Sequence, residues 1–237
     1  TMCTVTFVKY NDVVCITSNR DEKVKRPKAI PPKNYRINNK NIFFPKDAKA
    51  GGTWYAVDEY SNVIVLLNGA VEKHEFSPKF KKSRGLVVLD LISSASIIEL
   101  WQEIDLTIVE PFTLVVYEKN QLFQLQWDGE RKKVRTLDDS KSYIWSSATL
   151  YSPDVIHKRK NRFAAFLDEI EEISADTLFN FHSFSDSKNE ENGLIINRNN
   201  ETVTLSITQT VLELNKVSLH YHDLTESKLH SHSFIVI

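Results

Sequence analysis

A thiol at position 3 and an arginine–aspartate pair at positions 20 and 21 are the residues whose types and spacing can do chemistry. Between them lie two β-rich runs, 4–10 and 13–19, interrupted only by Asn11-Asp12. Asn and Asp tolerate the positive φ that a two-residue hairpin turn demands. With that turn Tyr10 opposes Val13. Counting outward, Cys3 falls opposite Arg20 and Met2 opposite Asp21. Directly opposed residues share a face at about 5 Å, so a guanidinium stands beside the thiol and favours the thiolate, its reactive form. Cys3 is therefore expected to be the more reactive of the two cysteines. Strict alternation puts Asp21 on the other face, so the strand is expected to end there and let the carboxylate join the site. Val5, Phe7, Val14 and Ile16 share the Cys3 face, which is expected to look into the core. Cys15 falls opposite Val8 on the reverse side, where it is expected to be buried and inert. The Cβ vectors of the two cysteines then diverge and no disulfide joins them. Two cysteines in a chain of this length give no disulfide framework in any case.

The pieces Met2-Cys3-Thr4, Ser18-Asn19-Arg20-Asp21-Glu22 with Arg26-Pro27, and Gly51-Gly52-Thr53-Trp54 followed by Leu66-Leu67-Asn68 resemble the NRDE family. That family includes the transport and Golgi organisation protein 2 group. The start of the chain also resembles N-terminal-nucleophile (Ntn) hydrolases of the bile-salt and penicillin V acylase type. That resemblance implies Cys3 as nucleophile, Arg20 as thiolate partner, Asp21 as partner of the free α-amine and Asn68 as oxyanion donor. Asn19, Gly52, Thr53 and Trp54 are the implied substrate-binding positions. It also implies an α+β fold, a four-layer αββα sandwich of two antiparallel sheets with outer helices. The sequence departs from the pattern twice. Thr1-Met2 precedes Cys3, whereas an Ntn nucleophile uses its own α-amine as base, so the mechanism requires a chain that begins at Cys3. Ser146-Ser147 stands where such hydrolases often supply a second Asn.

The elements that must position these residues follow from pattern. The stretch 22–41 is polar and contains Arg26-Pro27 and Pro31-Pro32. Prolines exclude a helix interior or a central strand, so a long extended surface excursion is expected. Strands are expected at 41–45, 53–58 and 63–67, and helices at 83–93 and 96–104, with Ser83 as an N-cap. Two further strands, 112–118 and 121–127, are joined by the tight turn Lys119-Asn120, and strands at 131–137 and 143–147 follow. Ser152-Pro153-Asp154 starts a helix expected to reach residue 172, and 175–181 adds a short one. A mobile polar loop is expected at 185–192, then strands at 194–197, 202–211, 216–223 and 231–237. Helices segregated between antiparallel runs indicate an α+β layered domain. No linker or repeat divides it, so residues 1–237 read as one domain.

Composition bounds the function. Of 237 residues 41% are hydrophobic, and the formal net charge is −1. There is no basic excess to call for nucleic acid. The run Lys79, Lys81, Lys82, Arg84 and two shorter ones read as solvated faces. No apolar run approaches the ~20 residues that span a bilayer and no signal peptide is visible, so a cytoplasmic protein without stable membrane insertion is expected. No residue pattern specifies an oligomeric state.

His220, His222, His230 and His232 lie in one stretch. If 224–229 closes a hairpin with His222 opposite His230, all four share one face. Such a patch can take zinc or a haem iron, although no cofactor is required by the rest of the sequence. Two functions remain open. One is a Cys-nucleophile hydrolase or acyltransferase acting on an amide C–N bond of a small molecule. The other is a non-catalytic pocket protein that binds or traffics a lipid-like or haem ligand, which the family resemblance allows.

Overall fold

The computed structural model describes residues 2–71, 80–184 and 189–236, with Met2 described by its backbone alone. Thr1, Lys79 of the basic run, residues 185–188 of the expected polar loop and Ile237 lie outside the described residues. In chain order the elements are β1 (Met2–Tyr10), β2 (Val13–Lys23), β3 (Ile30–Ile37), β4 (Lys40–Lys46), β5 (Tyr55–Asp58), β6 (Val63–Asn68), α1 (Arg84–Ile92), α2 (Ile97–Glu103) and β7 (Phe112–Glu118). Then come β8 (Gln121–Trp127), β9 (Lys132–Leu137), β10 (Tyr143–Ser146), α3 (Pro153–Glu169), α4 (Ala175–Ser183), β11 (Asn197–Arg198), β12 (Thr202–Glu213), β13 (Lys216–Asp223) and β14 (Lys228–Ile235). The fold is α+β: two antiparallel sheets of seven strands with a few helices. The chain divides into two compact units, one made of Thr1–Arg26 and Asp139–Phe234, the other of Pro27–Asp138 with Ile235–Ile237.

The first unit holds the sheet ordered β10-β1-β2-β12-β13-β14, with β11 beside β12. Asn11 and Asp12 take φ of 45° and 62°, and the turn they make sets the expected register, from Tyr10↔Val13 to Cys3↔Arg20 and Met2↔Asp21. One face of this sheet is covered by α3 and α4. Val8 and Cys15 pack there with Ile144, Phe163, Leu178, Phe181 and Leu194. Ser152 caps α3 and Ser174 forms a capping box on α4, each satisfying an N–H that the helix start would leave unpaired.

A buried polar lock lies within that apolar layer. Asn19 on β2 donates from Nδ2 to the carbonyl oxygens of His182 (2.9 Å) and Leu194 (2.8 Å). Its Oδ1 is thus the acceptor facing the ring, and His182 Nδ1–H donates to it. Nε2 is then unprotonated and accepts from the Thr6 hydroxyl at 2.7 Å. The network holds the imidazole neutral, and burial, with Arg159 nearby, pushes its pKa down to about 3.

The second unit holds the sheet β3-β4-β5-β6-β7-β8-β9. Its inner strands β5, β6 and β7 are buried along their whole length, as expected of a central strand covered on both faces. The excursion expected over 22–41 is in part a strand. β3 runs through Pro31-Pro32 because it is the sheet edge, where a missing N–H removes no ladder bond, and the register shifts between Ile30 and Lys33 to absorb the prolines. Asn38 and Asn39, at φ 51° and 63°, make the turn into β4. Lys40 Nζ donates to Asp58 (3.0 Å), Ile92 O (2.9 Å) and Ser94 O (2.7 Å), tying the end of α1 to the sheet. Glu118 accepts from the N–H groups of Ile97 (2.7 Å) and Ile98 (3.3 Å), an anion at the positive end of α2.

Two measurements test this architecture. A Cβ at Gly85 would lie 2.8 Å from Thr53 O and 2.9 Å from Thr53 N, backbone atoms with no rotamer to yield. Gly85→Ala should therefore lower stability by about 2–3 kcal/mol in urea denaturation; an unchanged midpoint would contradict the packing of α1. For His182, the unfolded chain binds a proton below about 6.5 that the folded chain refuses until about 3. Stability from this group is full above 6.5 and is lost as pH falls toward 3. The melting temperature should drop across that window, and His182→Gln should flatten the drop; an equally steep profile would place the proton elsewhere.

Candidate functional site

Cys3 stands near the start of β1, fully buried, with β2 on one side and β10 on the other. Arg20, 1% exposed, opposes it on β2. On the β10 side the ladder runs one residue past Thr4↔Ser146, and Ser147 N–H donates to Cys3 O at 3.0 Å. Ser147, whose place the resemblance marks for an Asn, thus flanks Cys3 through its backbone, while its hydroxyl pairs with Thr149 at 3.0 Å. Beyond Arg20 the same row continues to Ser206 on β12 and Asp223 on β13. Ser18, one step along β2 on the same face, lies close enough to the sulfur to favour its anion.

The expected end of the strand at Asp21 is not found. β2 continues to Lys23, so alternation holds through the motif and splits it. Ser18, Arg20 and Glu22 share the Cys3 face; Asn19 and Asp21 face the helices. Asp21 is satisfied there by Tyr151 Oη–H and Thr204 Oγ1–H, each at 2.7 Å, and burial pushes its pKa up. Arg159 of α3 completes this rear cluster. It donates from Nη1 to Thr4 (2.5 Å) and Ser146 (3.3 Å) and from Nε to Asn192 O (3.2 Å), and it bonds Gly193 O. Its guanidinium carbon sits 3.6 Å from the centroid of Tyr151. Asn19 therefore anchors β2 to α4 and to Leu194, and Asp21 ties it to Tyr151 and to β12. His182, Arg159 and Tyr151 carry no sequence signal near the motif.

Gly52, Thr53, Trp54 and Asn68 belong to the second unit. Gly52 has no room for a side chain: a Cβ would fall 2.3 Å from the Gly85 carbonyl carbon. Thr53 donates to Pro45 O at 2.6 Å and accepts from Tyr55 N–H at 3.2 Å. Trp54 is 1% exposed, and Asn68 closes β6 opposite Phe112 at 7% exposure.

The four histidines do not share a face. His220 Nδ1 pairs with Ser231 at 3.0 Å and Ser218 with Ser233 at 3.2 Å, while the Tyr221 and His230 rings are 6.1 Å apart. The hairpin register is therefore one residue off the expected one. His220 and His222 look to one side, where His222 stacks 4.1 Å from Phe179, and His230 and His232 look to the other. A one-residue slip flips a strand's side chains, and the proposed zinc or haem patch is divided by it. Among the described residues no three His, Cys, Asp or Glu side chains converge as a metal site. No helix among them is long and apolar enough to cross a membrane.

Burial pushes the Cys3 thiol up to about 12, Asp21 adds to the rise, and the pull of Arg20 is outweighed. Cys15 reaches the same value, again by burial. Burial thus raises both thiols alike, which works against the expected advantage of Cys3. Iodoacetamide at pH 8 should alkylate both thiols of the native chain slowly and at similar rates; fast labelling of Cys3 alone would contradict the burial.

Comparison with solved structures finds the same fold at low identity. A mutant conjugated bile acid hydrolase from Clostridium perfringens matches over 98% of this chain and 92% of that one, with a TM-score of 0.55 and 11% identity. The Caenorhabditis elegans ortholog of N-acylethanolamine-hydrolyzing acid amidase matches over 87% of this chain and 92% of that one, with a TM-score of 0.56 and 11% identity. Comparison with curated proteins finds no match. A family model described as Transport and Golgi organisation 2 matches residues 2–227. With nearly the whole chain matched, from Met2-Cys3 through the split motif on β2 to the β13–β14 turn, this chain belongs to the Transport and Golgi organisation 2 family.

Proposed function

We propose that this protein, in the form that begins at Cys3, is a cysteine amide hydrolase of the N-terminal-nucleophile kind. The observation that carries the reading is the opposition of Cys3 and Arg20 at the start of the first hairpin. The likeness of the fold to two hydrolases, one of them named an amidase, supports it. In that form the α-amine of Cys3 takes the thiol proton, and the thiolate attacks the amide carbonyl. The ammonium returns the proton to the leaving nitrogen as the C–N bond breaks and a thioester forms. Water, giving its proton to the same amine, then cleaves the thioester to a carboxylic acid and restores the thiol. The ammonium created at the chain start lies next to the sulfur and opposes the burial that keeps the thiol protonated. The resemblance assigns the oxyanion to Asn68.

A second reading is a non-catalytic protein that holds a polar ligand group. It is favoured by the burial that keeps Cys3 protonated. Thr208 and Thr210 favour it too: they are fully buried on the Cys3 face with hydroxyls that have no hydrogen-bond partner among the described residues. Such groups cost about 1–3 kcal/mol unless something satisfies them.

Intact mass followed by assay of N-acyl amides separates the two. The form starting at Cys3 should turn over an N-acyl amide and accumulate a thioester adduct. Cys3→Ala and the form retaining Thr1-Met2 should do neither, and Asn68→Ala should slow turnover about 100-fold or more. Absence of turnover and adduct in the form starting at Cys3 would leave the binding reading.

A further inference from the structure

We propose that Glu22, rather than Asp21, is the carboxylate that holds the α-amine of Cys3 in a chain beginning at that residue. The proposal rests on the reading of Cys3 as the nucleophile. Its geometry comes from the ladder. Asp21 is the nearer residue by register, since it opposes Met2, but its carboxylate points to the helix side and both its oxygens are taken, one by Tyr151 and one by Thr204. To serve the amine it would have to turn through the sheet and abandon two buried donors, each left at a cost of about 1–3 kcal/mol.

Glu22 faces the other way. It lies two residues beyond Arg20 on a strand that alternates without a break to Lys23, so it shares the Cys3 face. It is the diagonal neighbour of Cys3 on β2, at a Cα separation of about 7–8 Å, within reach of a long side chain. The direction is right as well. β1 runs away from its start, so the nitrogen of Cys3 lies on the Met2 side of its Cα, the side toward Glu22. Removal of residues 1 and 2 vacates the ladder position that Met2 fills opposite Asp21, on the way from that nitrogen to Glu22.

The charges around Glu22 suit an anion. It is 6% exposed. Lys23 N–H donates to Oε1 at 3.0 Å, and Arg26 Nε lies 3.6 Å from Oε2. Arg20 stands on the same face one step back, and Asp223 and Tyr221 lie farther along the rows that Arg20 and Ser18 begin. Val203, uncharged, opposes Glu22 on β12. Burial works against its charge, while the Lys23 amide and Arg26 favour the anion; burial raises the pKa of Asp21. Arg26 ties Glu22 to the segment after β2, so the carboxylate is held rather than swinging freely. Along β2 the Cys3 face then presents Glu22 to the amine, Arg20 to the middle of the site and Ser18 to the sulfur.

The test is the pKa of the amine itself. In the form beginning at Cys3, labelled with 15N-cysteine, the α-amine shift is followed against pH, and the Cys15 amide serves as a non-titrating reference. An anion beside an ammonium raises its pKa, so Glu22→Gln should lower the amine pKa by about one unit or more. Glu22→Asp, which keeps the charge on a shorter arm, should recover part of that. Asp21→Asn should leave the amine pKa in place and lower the melting temperature instead. If the enzyme turns over N-acyl amides, the acidic limb of its rate profile should move down with Glu22→Gln and stay with Asp21→Asn. An amine pKa that falls with Asp21→Asn, or one indifferent to Glu22→Gln in a variant that melts like the parent, overturns the proposal. A Glu22-dependent amine pKa in a chain that turns over no amide keeps the pairing and removes the hydrolase.

Discussion

The two-residue turn at Asn11-Asp12 is the constraint on which the first unit depends. Both residues sit in the left-handed region, which costs most side chains about 1–2 kcal/mol and which Asn and Asp tolerate through local hydrogen bonding. A turn of this length leaves one register for the two strands it joins. The register then decides which of two unlike environments each side chain enters. One face of β1 and β2 meets the helices, with their aromatic cluster and the Asn19–His182–Thr6 lock. The other carries Cys3, Arg20 and the hydroxyls. A turn one residue longer would flip one strand against the other and bring Cys3 onto the face of Cys15, opposite Asp21 in place of Arg20, so the chemistry of position 3 is settled eight residues away.

How far the sequence could be read depended on whether local rules reached the residue in question. The first hairpin was legible because turn chemistry, β-propensity and parity agreed, and β7 and β8 were found at their limits for the same reason. The caps Ser83 and Ser152 were equally local. The expected strand end at Asp21 failed because β2 was stopped early to bring a carboxylate to the thiol, whereas the alternation that made the rest of the hairpin readable continues to Lys23. The histidine patch failed on a register difference of one residue at 224–227, where Ser227 takes a positive φ that its residue type does not announce. The strand in 22–41 was hidden by Pro31-Pro32, since a proline rule that excludes a central strand is silent about an edge.

The rear cluster was not legible at all. Arg159, Tyr151, His182 and Leu194 reach β1 and β2 across sequence distances of more than 100 residues, and nothing in their own neighbourhoods signals it. The shift of the Cys3 thiol was out of reach for a related reason. An adjacent guanidinium can be counted from the sequence, but the desolvation that outweighs it is a property of the packed state.

The prolines that disguised β3 have a further effect, on the protein's company rather than its chemistry. An exposed edge strand offers a row of unused N–H and C=O groups to any extended chain it meets. Pro31-Pro32 removes a donor from that edge, and the irregular pairing beside it departs from the regular ladder that a foreign strand would need. At the opposite border β9 presents Lys133 and Arg135 to solvent, so a second copy approaching there meets like charge. A sheet whose inner strands are as apolar as β6 and β7 would be prone to sheet-to-sheet association in a crowded solution. Proline at one border and like charge at the other oppose such growth.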